Sequence, residues 1–243
     1  MKQAMVFAAG LGTRLRPLTD NKPKALVEVG GKPLIDHVIH RLTTAGFDRI
    51  VVNVHHYANM ITDHIASLKF DGVEILVSDE SDSLLETGGG LRKAAPLFDS
   101  NSNVLIHNVD IFSNVDISTF YKLAKDNPAT LLVSNRETSR YLLFDEDMRL
   151  VGWTNVKTGE IRTPYSYLDF DKCRKFAFSG IHVLSPALLE MMQQWPERFG
   201  IIDFYLSICH DVDIKGILKP DLHLVDVGKI ETLALAEQFL KTI

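Results

Sequence analysis

The chain has 243 residues, of which 46% are hydrophobic and 23% are charged, as in an ordinary globular protein. Its formal net charge of -5 argues against a broad nucleic-acid-binding surface, which usually needs a basic face. The two cysteines, Cys173 and Cys209, form no CxxC pair, so neither a disulfide framework nor a thiolate metal site is indicated. No apolar window is long enough for a membrane span, and the first residues do not have the pattern of a signal peptide. We therefore expect a cytoplasmic protein with one α/β core and no membrane partner.

Strand and helix patterns alternate along the first 135 residues. A short apolar run before Gly10 predicts the first buried strand, and Pro33 and Gly46 mark the ends of the first predicted helix. Strands are predicted at 3–8, 49–53, 74–78, 103–107 and 130–135, and helices at 33–45, 59–67 and 91–98. This order predicts an α/β fold with a mostly parallel, Rossmann-like sheet covered by helices.

The pattern changes between about 141 and 176, where aromatic, aspartate and turn residues become frequent. An insertion of short antiparallel strands is expected there. Periodic order returns at 177–184, and a last helix is predicted at 230–240. Neither a repeat nor a linker divides the sequence, so a single domain over 1–243 is expected.

A glycine turn, with Gly10 and Gly12, follows the first strand directly. Because glycine has no Cβ, the backbone N–H groups of such a turn can approach phosphate oxygens. Leu15 replaces the third glycine of a dinucleotide-binding fingerprint, and the Walker A lysine is missing. Four cations follow within eleven residues: Arg14, Arg16, Lys22 and Lys24. They repel one another unless an anion joins them, so the turn predicts a phosphate site; a plain turn with a solvated basic face is the alternative.

Two aspartates follow apolar strands at distant positions. Asp110 comes after the strand predicted at 103–107, and Asp226 ends the apolar run 222–225. Ligands of open α/β sheets collect at the carboxyl ends of strands, so the two side chains are expected at one edge of the sheet. Two hard oxygen ligands suit Mg²⁺, while a helix cap or a turn is the alternative role for each aspartate.

The run from Leu11 to Thr19, followed by Lys22-Pro23-Lys24, resembles the GxGxRxxPxT turn and following PK of the sugar-1-phosphate nucleotidyltransferase family. Later landmarks of that family recur in the same order: Glu86-Thr-Gly-Gly-Gly90, Asn108-Val-Asp110, Phe178-Ser-Gly-Ile181 and Val225-Asp-Val-Gly228. The resemblance covers nearly the whole chain. It implies an enzyme that joins a nucleoside triphosphate to a sugar 1-phosphate, with Mg²⁺ as cofactor and pyrophosphate as the second product.

The resemblance also implies a role for each matched residue. Arg14 is expected to hold the β- and γ-phosphates, Lys24 to lie between the α-phosphate and the sugar phosphate, and Asp110 and Asp226 to bind Mg²⁺. Further substrate contacts are expected from Ala9, Gly10, Gly12, Asn53, Glu86, Thr87, Gly88 and Gly180.

Several of these assignments have alternatives. The run 86–90 is expected to precede a helix, where its glycines would let the backbone approach a base; a plain helix-entry loop is the alternative. Asn53 would read the base or ribose, or else cap a turn. Gly180 resembles the family glycine that contacts the sugar, but the acidic Glu-Lys-Pro sugar signature is missing. Val109 stands where many relatives have a smaller residue, and it would narrow the pocket.

The substrate pair follows only from the resemblance. The motifs ETGGG, FSGI and VDVG are most similar to family members that join UTP to N-acetylmuramic acid 1-phosphate. Guanylyltransferases for mannose or heptose 1-phosphate, a phosphocholine-type cytidylyltransferase and a non-catalytic nucleotide-sugar-binding regulatory subunit are the alternatives. A lactyl carboxylate would need a cationic or amide partner, for which Arg136, Arg140 and Lys175 are candidates. The oligomeric state is not indicated.

Overall fold

A mixed ten-stranded sheet forms the centre of the computed structural model, which describes residues 1–242. In chain order the strands are β1 (Gln3–Phe7), β2 (Glu28–Val29), β3 (Lys32–Pro33), β4 (Arg49–Val54), β5 (Glu74–Asp79), β6 (Val104–Asn108), β7 (Ile111–Ser113), β8 (Ala129–Ser134), β9 (Arg140–Phe144), β10 (Leu150–Asn155), β11 (Glu160–Arg162), β12 (Arg174–Leu184), β13 (Ile214–Leu218) and β14 (Leu224–Asp226). The main sheet has the order β11-β10-β9-β12-β6-β1-β4-β5, and β8 joins β13 to β12.

The strands nearest the centre run in parallel. β1 pairs in parallel with β4 and β6, and β4 does so with β5. β12 then runs antiparallel to β6 and β8, while β13 is parallel to β8. Such parallel strands are buried on both faces, which explains why they read as continuous apolar runs. The Rossmann-like fold expected from the sequence is confirmed.

Helices cover both faces of this sheet. They are α1 (Leu34–Thr44), α2 (Ala58–Ser67), α3 (Glu86–Ala94), α4 (Ile117–Leu123), α5 (Pro186–Met192), α6 (Ile201–Ile208) and α7 (Leu233–Leu240). Successive residues of β1 point to opposite faces: Ala4 and Val6 join the core beneath α1, α2 and α4, whereas Met5 joins the core beneath α3, α5 and α6. Within residues 1–242, every helix is too short or too polar to cross a membrane.

The predicted insertion is present as an antiparallel extension of the sheet. β9 pairs with β10, β10 with β11, and β9 with the first residues of β12. This extension begins at Arg140, one residue before the predicted start. Between 185 and 221, where the sequence analysis predicts no element, the structure has α5, α6 and β13. These elements are only five to eight residues long, which is too short for a clear period.

Helix α3 begins at Glu86, so the prediction that the run 86–90 precedes a helix is wrong. Glycine has a low helix propensity, but close packing against the segment 197–201 stabilises the helix here. A Cβ at Gly88 would overlap the ring of Phe199, and one at Gly89 would overlap the main-chain oxygen of Glu197. The N–H groups of both glycines donate to the carbonyl of Phe199, at 2.9 and 3.2 Å. The glycines therefore let the start of α3 dock against the segment 197–201.

Replacing Gly89 with Ala tests this docking. In an open helix Gly→Ala stabilises by about 0.5–1 kcal/mol, whereas here the steric overlap with Glu197 should destabilise the protein by about 1–3 kcal/mol. Urea unfolding measures the difference. Lys93→Ala, at an exposed position of the same helix, is the control and should change stability by no more than about 0.5 kcal/mol. A Gly89→Ala protein as stable as the unmodified chain would contradict the close packing.

Candidate functional site

A cavity of about 440 Å³ opens where the parallel strands end. In the strand register Phe7 of β1 lies between Asn53 of β4 and Asn108 of β6, so three strands reach the same edge together. The cavity is lined by Phe7, Ala8, Ala9, Gly10, Lys24, Asn53, Glu80, Leu84, Glu86, Thr87, Asn108, Val109 and Asp110. This is the edge at which open α/β sheets collect their ligands.

A hydrogen-bonded ion pair closes one side of the cavity. Lys24 Nζ donates to Oδ2 of Asp110, and the two side chains are only 11% and 16% exposed. Lys24 follows the glycine turn and Asp110 follows β6, so the bond fastens the turn to the end of a central strand. Both residues are among the predicted site residues, and the structure places them in direct contact.

Asp226 reaches the site on a separate two-stranded ribbon. β14 pairs antiparallel with β7, which puts Asp226 opposite Ile111, the residue after Asp110. The N–H of Val227 donates to the carbonyl of Asp110 at 2.8 Å. Asp226 ends a strand, as expected, and among the described residues that strand belongs to the two-stranded sheet with β7 instead of the main sheet. The expectation that the two aspartates lie at one edge is met.

Opposing charges surround Asp226. Burial and the negative charge of Asp110 raise the pKa of the Asp226 carboxyl, while the positive charges of Lys24, Arg14 and Arg136 oppose that rise. Two carboxylates in one partly buried place favour a cation between them.

Gly228 leaves space for the side chains of Arg14 and Asp226, which both lie against it. A Cβ on Gly228 would lie 2.6 Å from Nη2 of Arg14 and 2.7 Å from Oδ1 of Asp226. The last glycine of the VDVG motif thus allows Arg14, which is far away in sequence, to lie close to the aspartate of the same motif. Arg14 and Asp226, like Lys24 and Asp110, lie together at one edge of the sheet.

The donor set fits magnesium. Asp110 and Asp226 offer hard carboxylate oxygens, and Mg²⁺ is usually held by one or two carboxylates together with waters and substrate phosphates. Within residues 1–242 the structure contains no group of three or more His, Cys, Asp or Glu side chains that would enclose a metal without substrate. Two carboxylates leave coordination positions of such an ion for waters and phosphate oxygens.

A buried amide–carboxylate pair forms the opposite wall of the cavity. Asn53 Oδ1 accepts from the Ala8 N–H at 2.8 Å, and Asn53 Nδ2 donates to Oε1 of Glu80 at 2.7 Å. Glu80 is fully buried, and burial raises the pKa of its carboxyl. The hydrogen bond from Asn53 acts in the opposite direction and lowers this pKa, but burial has the larger effect. A Cβ on Gly90 would lie 2.6 Å from Oε1 of Glu80, so this glycine makes room for the pair.

Sequence reasoning missed Glu80. The available signal was an acidic residue two positions after the strand predicted at 74–78, at the same edge as Asn53 and Asp110; in the structure it directly follows β5. Asn53, predicted to read a base or ribose, is held rigidly in the cavity wall by Ala8 and Glu80. Its contact with a ligand stays a prediction.

Residues at the start of α3 share the cavity wall with the segment 197–201. Glu86 and Thr87 line the cavity. Glu86 has a left-handed backbone, with φ of 63°, and its carboxylate pairs with Arg198 at 3.0 Å. Thr87 Oγ1 accepts from the Ile201 N–H at 2.9 Å. Gly88 does not line the cavity, because its N–H faces Phe199 instead.

The other predicted glycines divide into two groups. Gly10 lines the cavity with Ala9, and a Cβ there would meet no atom within 4 Å, so its backbone is open to a ligand. Gly12 and Gly180 lie outside the lining and have φ of 64° and 78°. A Cβ on Gly180 would lie 2.5 Å from Nδ2 of Asn108, so Gly180 positions a cavity residue.

Two curated relatives have names that match the expected chemistry. The N-acetylmuramate alpha-1-phosphate uridylyltransferase of Caulobacter vibrioides is 49% identical over 111 residues, covering 45% of this chain and 46% of that protein. The protein of the same name from Neisseria meningitidis serogroup B is 40% identical over 126 residues, covering 52% and 54%. The matched segments thus span about half the length of these curated relatives.

The fold also matches solved structures. UDP-glucose pyrophosphorylase from Acinetobacter baumanii superposes with a TM-score of 0.80 at 15% identity, covering 98% of this chain and 93% of that one. At this identity the likeness concerns the fold alone. Residues 3–143, more than half of the chain and including the glycine turn, Asn53, Glu80 and Asp110, match the family described as nucleotidyl transferase. The chain therefore belongs to the nucleotidyl transferase family.

Proposed function

We propose that this chain joins a nucleoside triphosphate to a sugar 1-phosphate, giving a nucleotide-sugar and pyrophosphate, and that it does so in the cytosol with Mg²⁺. The observation that carries the proposal is the convergence of Arg14, Lys24, Asp110 and Asp226 beside one cavity at the carboxyl edge of the sheet. The activities for which the two relatives are named support the same chemistry.

The reaction asks the protein mainly to align groups and neutralise charge. The sugar phosphate is already an anion, so its oxygen can attack the α-phosphorus without a strong general base. Pyrophosphate leaves from the opposite side. We accordingly assign no catalytic triad and no covalent intermediate.

Lys24 and Arg14 supply the fixed positive charges. The bond to Asp110 holds the ammonium of Lys24 at the cavity wall, where it would bind the phosphates that react. Arg14, beside Gly228, would grip the leaving pyrophosphate with its planar guanidinium, which suits phosphate oxygens.

Asp110 and Asp226 are the residues that would hold Mg²⁺. When bound, the ion supplies Lewis-acid stabilisation of phosphate charge. The two carboxylates orient this positive charge, and Lys24 limits the repulsion between them.

The substrate pair that we propose is UTP with N-acetylmuramic acid 1-phosphate, which would yield a nucleotide-sugar for the bacterial cell wall. Both relatives are named as N-acetylmuramate alpha-1-phosphate uridylyltransferases, which supports this pair. The cavity walls include buried Asn53 and Glu80, which are hydrogen-bonded to each other, and buried Val109. Buried polar groups discriminate strongly, because a wrong base leaves them unpaired.

Removing either metal carboxylate should suppress turnover without unfolding the protein. Asp110→Asn and Asp226→Asn should each lower the rate of pyrophosphate release by about 100-fold or more, as expected for the loss of a strong electrostatic stabiliser. Excess chelator should abolish turnover of the unmodified chain. Asp221→Asn is the control, since this exposed carboxylate pairs with Lys219 on a loop. Full activity in chelator would overturn the magnesium proposal.

Arg14→Lys separates charge from geometry. The lysine keeps the positive charge but loses the paired N–H donors, so pyrophosphate release should slow by about tenfold or more. The unfolding midpoint should stay close to that of the unmodified chain, because Arg14 is exposed. Arg16→Lys, on the same turn and paired with Asp20 in solvent, should leave the rate unchanged. If both variants are equally active, Arg14 takes no part in the chemistry.

A matrix of four nucleoside triphosphates against several sugar 1-phosphates tests the substrate pair. With N-acetylmuramic acid 1-phosphate as the acceptor, the kcat/KM for UTP should exceed that for every other triphosphate by about 100-fold or more. If GTP with mannose or heptose 1-phosphate is the best pair, the chain is a guanylyltransferase. If no pair releases pyrophosphate, the chain is a binding protein.

A further inference from the structure

A second cavity, of about 510 Å³, lies on the insertion beside the candidate site. Its walls are lined by Arg136, Thr138, Arg140, Leu142, Trp153, Glu160, Arg162, Phe178 and Ile202. Three of these nine side chains are arginines and only one is acidic, in a chain whose net charge is -5. A concentration of guanidinium groups in an acidic protein points to an anionic ligand.

The register of the insertion explains why these side chains meet. Trp153 of β10 pairs with Leu142 of β9 on one side and with Arg162 of β11 on the other. Arg140 stands two residues before Leu142 and therefore shares its face of the sheet. The apolar side chains of Leu142 and Trp153 therefore form one surface of the cavity, with guanidinium groups beside them. The guanidinium of Arg162 lies over the ring of Trp153, 5.6 Å from its centroid.

The three arginines differ in the hydrogen bonds and ion pairs that their guanidinium groups make with the protein. Arg162 pairs with Asp203 of α6 at 2.5 Å. Arg136 donates to the carbonyl of Phe178 at 3.3 Å. The Arg140 side chain is exposed and has no ion pair or hydrogen bond with any other residue in the range 1–242. Arg140 is therefore the guanidinium most free to bind an anion.

The second cavity adjoins the first through β12. Phe178 lines the second cavity, and Gly180, two residues further on, packs against Asn108 of the first cavity. Arg136 is also close enough to Asp226 for its charge to act on that carboxylate. A ligand held at the phosphate site would thus extend across β12 towards Arg140.

We propose that this second cavity binds a carboxylate on the sugar of the acceptor, with Arg140 as the main contact, and so selects acidic sugar 1-phosphates over neutral ones. The inference rests on the proposed function, because it places the sugar phosphate between the two cavities. Trp153 would pack against the sugar ring, as aromatic rings commonly do against apolar faces. Lys175, the third candidate from the sequence, lies instead over the ring of Phe170, 4.1 Å from its centroid, and does not line the cavity.

Calorimetric titration with two acceptors tests the inference. N-acetylmuramic acid 1-phosphate and N-acetylglucosamine 1-phosphate differ by the lactyl ether that carries the carboxylate. Each is titrated into the full chain with Mg²⁺ and a non-hydrolysable UTP analogue. The unmodified chain should bind the acidic sugar at least about tenfold more tightly, the scale of one charged hydrogen bond.

Arg140→Gln should remove this preference, and Arg140→Lys should restore part of it. Because Arg140 is exposed, both variants should fold, which thermal unfolding checks. Lys175→Gln makes the same charge change on the neighbouring strand and should keep the preference intact.

Equal binding of the two acceptors by the unmodified chain, or an unchanged preference in Arg140→Gln, would overturn the inference. This outcome is distinct from failure of the transferase proposal. A chain that prefers the acidic sugar through Arg140 but releases no pyrophosphate would keep the carboxylate site and lose the enzymatic function.

Discussion

The ion pair between Lys24 and Asp110 is the contact on which the site depends. It joins the cation-rich segment that contains the glycine turn to the end of a buried parallel strand, and both partners are largely shielded from water. A charge held in such a place keeps its position when a phosphate arrives, so little reorganisation is needed. The same bond neutralises one of the two carboxylates, which allows Asp226 to approach on its own ribbon.

The proposed chemistry divides the carboxyl edge of the sheet into three parts. Buried Asn53 and Glu80, which are hydrogen-bonded to each other, form the wall of the first cavity proposed for the base. The charged groups around Asp110 occupy the middle, where phosphates would react. Beyond β12, the insertion offers an aromatic floor and Arg140. A substrate pair of a nucleotide and an acidic sugar phosphate would use all three parts at once.

The sequence was informative where chemistry is carried by local motifs. The glycine turn with Arg14 and Lys24 indicated a phosphate site, and apolar runs located the parallel strands. What it could not show depends on contacts between distant residues. The pairing of β14 with β7, outside the main sheet, brings Asp226 to the site. The glycine run is helical because Gly89 packs closely against Glu197. Glu80 was missed because one acidic residue after a strand is an ordinary pattern.

The central claim is that a sugar 1-phosphate attacks the triphosphate directly. Phosphorus NMR of the full chain with UTP, Mg²⁺ and N-acetylmuramic acid 1-phosphate follows every phosphate species in one sample. The account predicts that pyrophosphate and a UDP-sugar appear in equal amounts, and only when the acceptor is present. Release of pyrophosphate without acceptor, or formation of inorganic phosphate from UTP in place of the nucleotide-sugar, would contradict it.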